Sequence, residues 1–361
     1  LGLIEGVAEA TSQLLRVWAG YLADKSGRPK LLTSLGYGLS ALSKPFLIVA
    51  TAWPQVFAIR FAERFGKGIR SAPRDVLIAN TTDTASRGRA FGFHRAMDTA
   101  GATLGPLIVL ALGWWFFGQQ FLNTPSREHA DVYRLVFIAA AVPAIIGWVV
   151  LQAFVQEQRR DHAPAEKPQL SLRAFDPRFK VFLLVLTLFG IGNSSDAFLV
   201  LRATSEPIGM SLFSFLLVYV AFNAFSTFVA LRSGIVSDRV GRKPVILVGW
   251  LVFAASYLGM AMSRTATDIW VWFTIYGTYY GMTEGMLKAF AVDLAPPHLR
   301  GTAVGAFYTI HGLAAFPASL IAGFLWTRVS HSAPFFYGAL TSAAAALLLA
   351  ALVKPAASPS S

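Results

Sequence analysis

Eleven stretches of about 20 mostly apolar residues follow one another along almost the whole chain, and each is long enough to cross a bilayer as a helix. Of the 361 residues, 55% are hydrophobic and 14% are charged, more apolar surface than one soluble core could bury. The sequence therefore predicts an all-α polytopic membrane protein. The approximate spans are 1–20, 31–52, 55–79, 89–113, 132–154, 180–202, 211–232, 244–263, 268–292, 300–326 and 333–353.

Composition also excludes several classes of function. The chain has no Cys, which excludes disulfides and thiolate metal sites. It has no Walker loop and no nucleophile elbow, so we expect neither an enzyme nor an ATP-driven pump, and neither metal nor cofactor. The formal net charge of +12 follows membrane topology and forms no basic patch with stacking aromatics, so we expect lipid and not nucleic acid as the partner.

Two loops of the same pattern lie half a chain apart. The first loop reads Gly20-Tyr-Leu-Ala-Asp24-Lys-Ser-Gly27-Arg28-Pro, and the second reads Gly234-Ile-Val-Ser-Asp238-Arg-Val-Gly241-Arg242-Lys. A shift of 213 positions also aligns Arg87-Gly88 with Arg300-Gly301. Two copies of one membrane bundle explain this repeat. The basic residues of both loops favour the cytoplasmic side under the positive-inside rule.

The repeat predicts the domain boundaries. Residues 1–155 form a first bundle and 180–354 a second, joined by a basic cytoplasmic linker over 156–179 and followed by a disordered tail over 355–361. The first loop follows the first span, whereas the second loop follows the second span of its own half. We therefore expect a natural protein of twelve helices, of which helix one is missing here and eleven are present.

The duplicated loop resembles the signature of the major facilitator superfamily, Gly-x-Leu-x-Asp-[Arg/Lys]-x-Gly-[Arg/Lys]-[Arg/Lys]. Pro29 and Val236 are the departures from it. The segment Gly66-Lys-Gly-Ile-Arg70-Ser-Ala-Pro73-Arg74-Asp75 is similar to a group of largely uncharacterised prokaryotic permeases. The resemblance implies two pseudo-symmetric six-helix bundles in which helices one, four, seven and ten line a central pathway. It also implies that Asp24 and Asp238 help to latch one conformation.

A second motif lies on the fourth span. Gly101-x-x-x-Gly105-Pro106 resembles the signature on helix five of proton-coupled drug antiporters, although Leu107 follows where further glycines are expected. The alternative is ordinary helix packing, since small residues four apart let two helices touch.

Five basic residues on the span 55–79 are three or four positions apart, which places them along one side of a helix. We call Arg60, Arg64, Lys67, Arg70 and Arg74 the basic stripe. A charge at the centre of a membrane helix costs about 3 kcal/mol, so such side chains face protein or a water-filled cavity. Helical rise puts Arg70, Asp98 and Glu9 at similar depth, which predicts a buried network of these three residues.

The second half has fewer charges at membrane depth. They are Asp196, Glu284, Lys288, Asp293 and His311. Under the same shift, Asp98 corresponds to His311 and Ser71 to Glu284. Glu284 and His311 lie within about one helical turn in depth, which makes their pairing plausible. His94 and Arg95 are interpreted as structural or gating residues.

These charges support two interpretations. In the first, Asp98, Glu284 or His311 exchanges a proton while Arg70 and Arg74, with Lys67 and Glu9 nearby, hold an anionic substrate group or a counter-carboxylate. In the second, the charges are permanent ion pairs between helices. We predict a monomeric secondary transporter of the inner membrane that performs proton-coupled efflux of a small organic, possibly anionic, compound. The alternatives are an uptake symporter for an organic anion and a membrane sensor or scaffold without transport.

Overall fold

The computed structural model describes residues 2–118, 130–156 and 174–353, and within these ranges all regular structure is helical. Most of the linker and the whole tail 355–361 lie outside the described residues. The α-helices of the described residues are α1 (Gly2–Ser26), α2 (Pro29–Ser43), α3 (Trp53–Asn80), α4 (Arg87–Phe117), α5 (Ala130–Phe154), α6 (Pro177–Gly192), α7 (Ala197–Thr204), α8 (Leu212–Val240), α9 (Arg242–Met262), α10 (Ala266–Asp293), α11 (Arg300–Arg328) and α12 (Ala333–Leu352).

Two predicted spans differ from the helices that the chain forms. The span 31–52 is α-helical only to Ser43 and continues as a 3-10 helix over Lys44–Ile48, because Pro45 cannot supply an amide hydrogen to a longer α-helix. The span 180–202 is interrupted at residues 193–196, between α6 and α7. Its sequence there, Asn-Ser-Ser-Asp after two glycines, favours capped and non-helical conformations over a continuous helix.

Six helical segments of the described residues are long and apolar enough to cross a membrane. They are Phe137–Phe154, Pro177–Thr204, Ser214–Val240, Arg242–Met262, Pro297–Arg328 and Ala333–Leu352. The sequence predicted eleven spans. The difference has identifiable causes in two cases: α2 has only 15 residues, and α3 carries the basic stripe together with Glu63 and Asp75.

The first compact unit comprises residues 1–81, 104–170 and 297–309. In it α1 and α2 pack on α3, and α2 also packs on α5. The crossing of α2 and α3 is close, since a Cβ added to Gly36 would lie 2.5 Å from the carbonyl oxygen of Gly66. Trp148 of α5 donates its indole hydrogen to Ser34 at 3.2 Å.

The second compact unit comprises residues 82–103, 171–296 and 310–361. Here α10 packs on α8 and α9, and α12 packs on α9 and α6. Its core is aromatic: Phe189 stacks on Trp250 with ring centroids 4.6 Å apart, and Phe253 stacks on Tyr257 at 4.0 Å. These four side chains are almost fully buried, which makes the core a fixed support for polar groups on the same helices.

Neither unit coincides with a predicted bundle. Residues 87–103 of α4 belong to the second unit, and residues 300–309 of α11 belong to the first. The bundle boundaries 1–155 and 180–354 therefore stay a prediction.

Candidate functional site

A buried carboxylate organises the first unit. Asp75 on α3 is fully buried, and its Oδ2 accepts a 2.7 Å hydrogen bond from the Tyr308 hydroxyl. Its Oδ1 accepts hydrogen bonds from Nε and Nη2 of Arg74, both at 3.1 Å. The guanidinium of Arg16, also buried, lies 4.6 Å above the ring of Tyr308. A buried ionised group needs such partners, so this cluster fixes Arg74 beside Asp75.

The remaining basic stripe is less buried. The guanidinium of Arg70 lies 4.2 Å above the ring of Tyr37, a cation-π contact between α3 and α2. Near the start of α3, Arg60 pairs with Glu63 at 3.1 Å. Lys67, Arg70 and Arg74 all keep part of their surface exposed. The stripe therefore presents three partly exposed cations along one face of α3.

Arg95 is the centre of a second charged cluster, which lies in the second unit. Its Nη1 is 3.0 Å from a carboxylate oxygen of Asp98 and 4.0 Å from one of Glu284. Its guanidinium carbon lies 4.3 Å above the ring of Tyr280. Lys288 and His311 lie within electrostatic range of Glu284. We call Arg95, Asp98, Tyr280, Glu284, Lys288 and His311 the Arg95 cluster.

Asp98 pairs with Arg95, one helical turn before it on α4. The predicted network of Arg70, Asp98 and Glu9 stays a prediction. Arg95 itself was interpreted as structural or gating. The side chain of Glu9, the third member of that network, lies outside the described residues. Glu284 and His311 come into electrostatic range, as equal depth suggested.

A third polar site surrounds the interruption between α6 and α7. Asp196 is exposed there and accepts a 3.2 Å hydrogen bond from the hydroxyl of Tyr276. The Asn193 side chain donates to the hydroxyl of Tyr279 at 3.3 Å. Asp196 is one of the charges predicted at membrane depth but was not among the predicted site residues. The Asn-Ser-Ser-Asp run inside an apolar span was the signal that could have located this site.

The aspartates of the two loops cap helices. Asp24, buried in the first unit, accepts hydrogen bonds from the backbone amides of Gly301 at 2.9 Å and Thr302 at 2.7 Å, at the start of α11. In the second unit, Asp238 accepts hydrogen bonds from the amides of Gly88 at 2.8 Å and Arg89 at 2.9 Å, at the start of α4. A carboxylate at a helix N-terminus satisfies free amides and meets the positive end of the helix dipole.

Glycines make these contacts possible. A Cβ on Gly20 would collide with the carbonyl oxygen of Gly301, and one on Gly234 would lie 2.7 Å from that of Gly88. Gly27 and Gly241 have φ angles of +62° and +90°, which residues with a side chain rarely adopt. The role of the loops as a conformational switch stays a prediction.

The second loop carries more charge contacts than the first. Arg242 pairs with Asp238 at 3.1 Å and with Asp293 at 3.2 Å, and Asp293 also pairs with Arg87 at 2.5 Å. At the corresponding place in the first unit, Arg300 donates to the neutral amide oxygen of Asn80 at 3.0 Å. The two units therefore have an ion-pair network in one position and a charge-to-amide hydrogen bond in the other.

The helix-five motif shows no close packing. A Cβ on Gly101 or Gly105 would meet no described atom within 4 Å outside the helix's own backbone. Helix contact among the described residues therefore does not require these glycines. The side chain of Pro106 lies outside the described residues.

The family to which this chain belongs follows from its similarity to known proteins. The sequence profile of the Major Facilitator Superfamily matches residues 1–319. An uncharacterized MFS-type transporter of Methanocaldococcus jannaschii is 33% identical over 355 residues, covering 97% of this chain and 85% of that relative. This chain belongs to the major facilitator superfamily.

Three further proteins are similar to this chain. The probable 4-methylmuconolactone transporter of Cupriavidus pinatubonensis is 24% identical, over 86% of this chain and 71% of its own. The cis,cis-muconate transport protein of Acinetobacter baylyi is 22% identical, over 86% and 74%. Among solved structures, the proton:xylose symporter XylE has a TM-score of 0.77 at 16% identity, covering 98% of this chain and 86% of that chain.

Membership of the superfamily confirms the predicted all-α membrane fold. It also confirms the prediction of a transporter and not an enzyme. The protein is a multi-pass membrane transporter of small organic compounds. The predicted site residues whose side chains are described lie in the basic stripe, the Arg95 cluster and the two loops, apart from Gly101 and Gly105 of the helix-five motif. Asp75, Tyr308 and Asp196 are the additions that the structure makes.

Proposed function

We propose that this transporter moves a small organic anion by alternating access, coupled to protons, in the direction of efflux across the cytoplasmic membrane. The observation that supports an anion is the partly exposed face of Lys67, Arg70 and Arg74 on one membrane helix. Guanidinium and ammonium groups bind carboxylates through charge-assisted hydrogen bonds, and Arg does so with two parallel donors. Cations at this depth are costly unless they serve such a purpose.

The names of two relatives support the same class of substrate. Muconate is a dicarboxylate and 4-methylmuconolactone carries one carboxylate, so both are small organic anions under physiological conditions. The basic stripe offers groups that would bind either one. Arg74 is bound to Asp75 at 3.1 Å, and Arg74, Lys67 and Arg70 are together the candidates for direct contact with substrate.

Proton coupling is supported by the Arg95 cluster. Asp98 and Glu284 are titratable groups beside one guanidinium, and His311 lies within electrostatic range of Glu284. A change in the protonation of any of them therefore alters the charge balance of the others. Binding of a proton at this cluster, or at a carboxylate within electrostatic range of it, would change how strongly Arg95 holds α10. Glu9 remains a predicted member of the proton or substrate pathway.

The switching step would use the two loops, with 1–155 and 180–354 as the moving bundles and the monomer as the working unit. Asp24 and Asp238 hold the first turns of α11 and α4, so releasing these caps would free both helix starts. The direction of efflux rests on the resemblance of Gly101-x-x-x-Gly105-Pro106 to the antiporter signature. An uptake symporter would use the same residues with the opposite coupling sense.

Flux measurements in proteoliposomes with the complete natural protein test this function. Radiolabelled cis,cis-muconate is the anionic probe and xylose the neutral one. Arg70→Gln should weaken muconate transport roughly tenfold or more, since a charge-assisted hydrogen bond contributes about 1.5–3 kcal/mol. Arg60→Gln is the matched control on the same stripe, because Arg60 already pairs with Glu63. Equal losses in the two variants would argue for a structural role of Arg70.

The coupling is tested by imposing a pH gradient. Outward movement of muconate driven by protons moving inward supports efflux by antiport. Inward movement of muconate together with the protons supports uptake. Asp98→Asn should abolish the gradient-driven component while muconate exchange is less affected. No flux under any gradient with a broad substrate panel would favour the sensor or scaffold.

A further inference from the structure

Asp196 lies where a membrane span loses its helical structure. The 16 residues of α6 rise about 24 Å before the interruption at 193–196, so this carboxylate lies toward the far side of a hydrocarbon core roughly 30 Å thick. The end of α6 is capped by the amide of Asn193, which donates to the carbonyl oxygens of Phe189 and Gly190. The protein leaves part of the surface of Asp196 uncovered, so a proton can reach the carboxylate when water enters this break in the helix.

The groups that face Asp196 are neutral or acidic. Tyr276 on α10 donates its hydroxyl to the carboxylate, and the other groups within electrostatic range are Glu284 on α10 and the tyrosine hydroxyls at 257, 279 and 280. Arg202, on α7, instead donates to the carbonyl oxygens of Met260, Ala261 and Ser263 at the end of α9. Within the described part of the chain, no cation therefore neutralises Asp196.

The other membrane carboxylates with described side chains contrast with it. Asp75 is bound by Arg74, and both Asp98 and Glu284 lie beside Arg95. Neutralising any of these three would take a counter-charge away from a buried guanidinium, which is costly. Neutralising Asp196 breaks no described ion pair and removes its repulsion with Glu284.

We propose that Asp196 is the residue at which the coupling proton first binds, while Asp98 and Glu284 remain the counter-charges of Arg95. The inference rests on the proton coupling proposed above and names its loading residue. A proton from water bonds to a carboxylate oxygen of Asp196 and converts it to the neutral acid. The Tyr276 hydroxyl can stay hydrogen-bonded to either form. When the proton leaves to water on the opposite side, the carboxylate is restored and no other group is consumed.

Carbodiimide modification tests proton binding without a substrate. Dicyclohexylcarbodiimide reacts with protonated carboxyl groups in apolar surroundings, and mass spectrometry of the complete protein in lipid nanodiscs locates the product. Asp196 should be modified in mildly acidic buffer and protected as the buffer becomes alkaline, whereas Asp98 and Glu284 should react only in the Arg95→Gln variant. Asp268, exposed at the start of α10, is the control carboxylate and should remain unmodified. Modification of Asp98 or Glu284 in the wild-type protein, with Asp196 untouched, would overturn the proposal.

Flux measurements distinguish a failure of the role proposed for Asp196 from a failure of the proposed proton coupling. In proteoliposomes, Asp196→Asn should lose the component of muconate flux driven by a pH gradient and keep muconate exchange, and Asp196→Glu should restore part of it. If the wild-type protein couples to the gradient and Asp196→Asn does so equally well, Asp196 is not the loading residue and the proposed function stands. If the wild-type protein shows no coupling under any gradient, the proposed function fails, and the inference that depends on it fails as well.

Discussion

Tyr308 donates a 2.7 Å hydrogen bond to the fully buried carboxylate of Asp75. The same tyrosine ring lies under the guanidinium of Arg16, so one side chain links a buried anion and a buried cation. Under the internal repeat, Tyr308 corresponds to Arg95, the centre of the charged cluster in the other unit. Equivalent positions of α4 and α11 thus both contact membrane carboxylates, one through a hydroxyl and the other through a charge.

Removing that hydroxyl should destabilise the protein measurably. Tyr308→Phe deletes the hydrogen bond to Asp75 and should lower the free energy of unfolding by about 2 kcal/mol, typical of a bond to a charged group. Thermal unfolding in detergent is the measurement. Tyr219→Phe is the control, since that hydroxyl makes no hydrogen bond among the described residues. Equal unfolding temperatures for the two variants would contradict the assigned bond.

The cap that Asp24 provides should matter for both stability and transport. Asp24→Ala removes three hydrogen bonds to Gly301 and Thr302 and should reduce stability by about 2 kcal/mol while slowing flux. Asp176→Ala is the matched control, because Asp176 caps α6 through one exposed bond to the amide of Arg178. That variant should lose about 1 kcal/mol or less and transport normally. A transport defect of the same size in both variants would argue against a switching role for Asp24.

A substitution in the ion-pair network of the second loop should destabilise the protein more than one at Asn80, which has the corresponding place in the first unit. Asp293→Asn removes a carboxylate shared by Arg87 and Arg242 and should cost about 3 kcal/mol, because it leaves buried guanidinium groups with less counter-charge. Asn80→Asp should be tolerated, since it places a carboxylate beside Arg300. Unfolding temperatures of both variants check this. Greater damage from Asn80→Asp than from Asp293→Asn would be inconsistent with these contacts.

Alanine substitution should have opposite effects on stability at a glycine of the loops and at a glycine of the helix-five motif. Gly20→Ala forces a methyl group against the carbonyl of Gly301 and should destabilise by about 1–3 kcal/mol. Gly105→Ala meets open space and should stabilise α4 by about 1 kcal/mol through helix propensity. If Gly105→Ala stabilises yet stops gradient-driven flux, the motif serves movement. A destabilised Gly105→Ala protein would show that the glycine is needed for packing.

The fold could be predicted from the sequence because the patterns that indicate it can be read without knowing any contact between distant residues. Apolar runs and the repeat of Gly20 and Asp24 at Gly234 and Asp238 depend only on order along the chain. The family follows from them and is confirmed by the comparisons. The interruption at 193–196 was missed, since a polar run of four residues hardly lowers the hydropathy of the span around it.

The partners of the membrane charges could be predicted only in part. Counting helical rise gives the depth of a side chain but not the direction in which it points around its helix. Glu284 and His311 lie within electrostatic range of each other, and Asp98 pairs with Arg95, a partner that depth alone did not indicate. Asp75 was seen only as part of a motif, because its hydroxyl partner lies 233 residues away in sequence.

The glycine contacts have a consequence for how fast such loops can open. Where Gly20 meets Gly301 and Gly88 meets Gly234, main chain rests directly on main chain. The glycines contribute no side chains that must change rotamer before the two main chains part or be re-ordered when they meet again. A main-chain contact of this kind, with one carboxylate bound to the first amides of each helix, favours repeated opening and closing over permanent association.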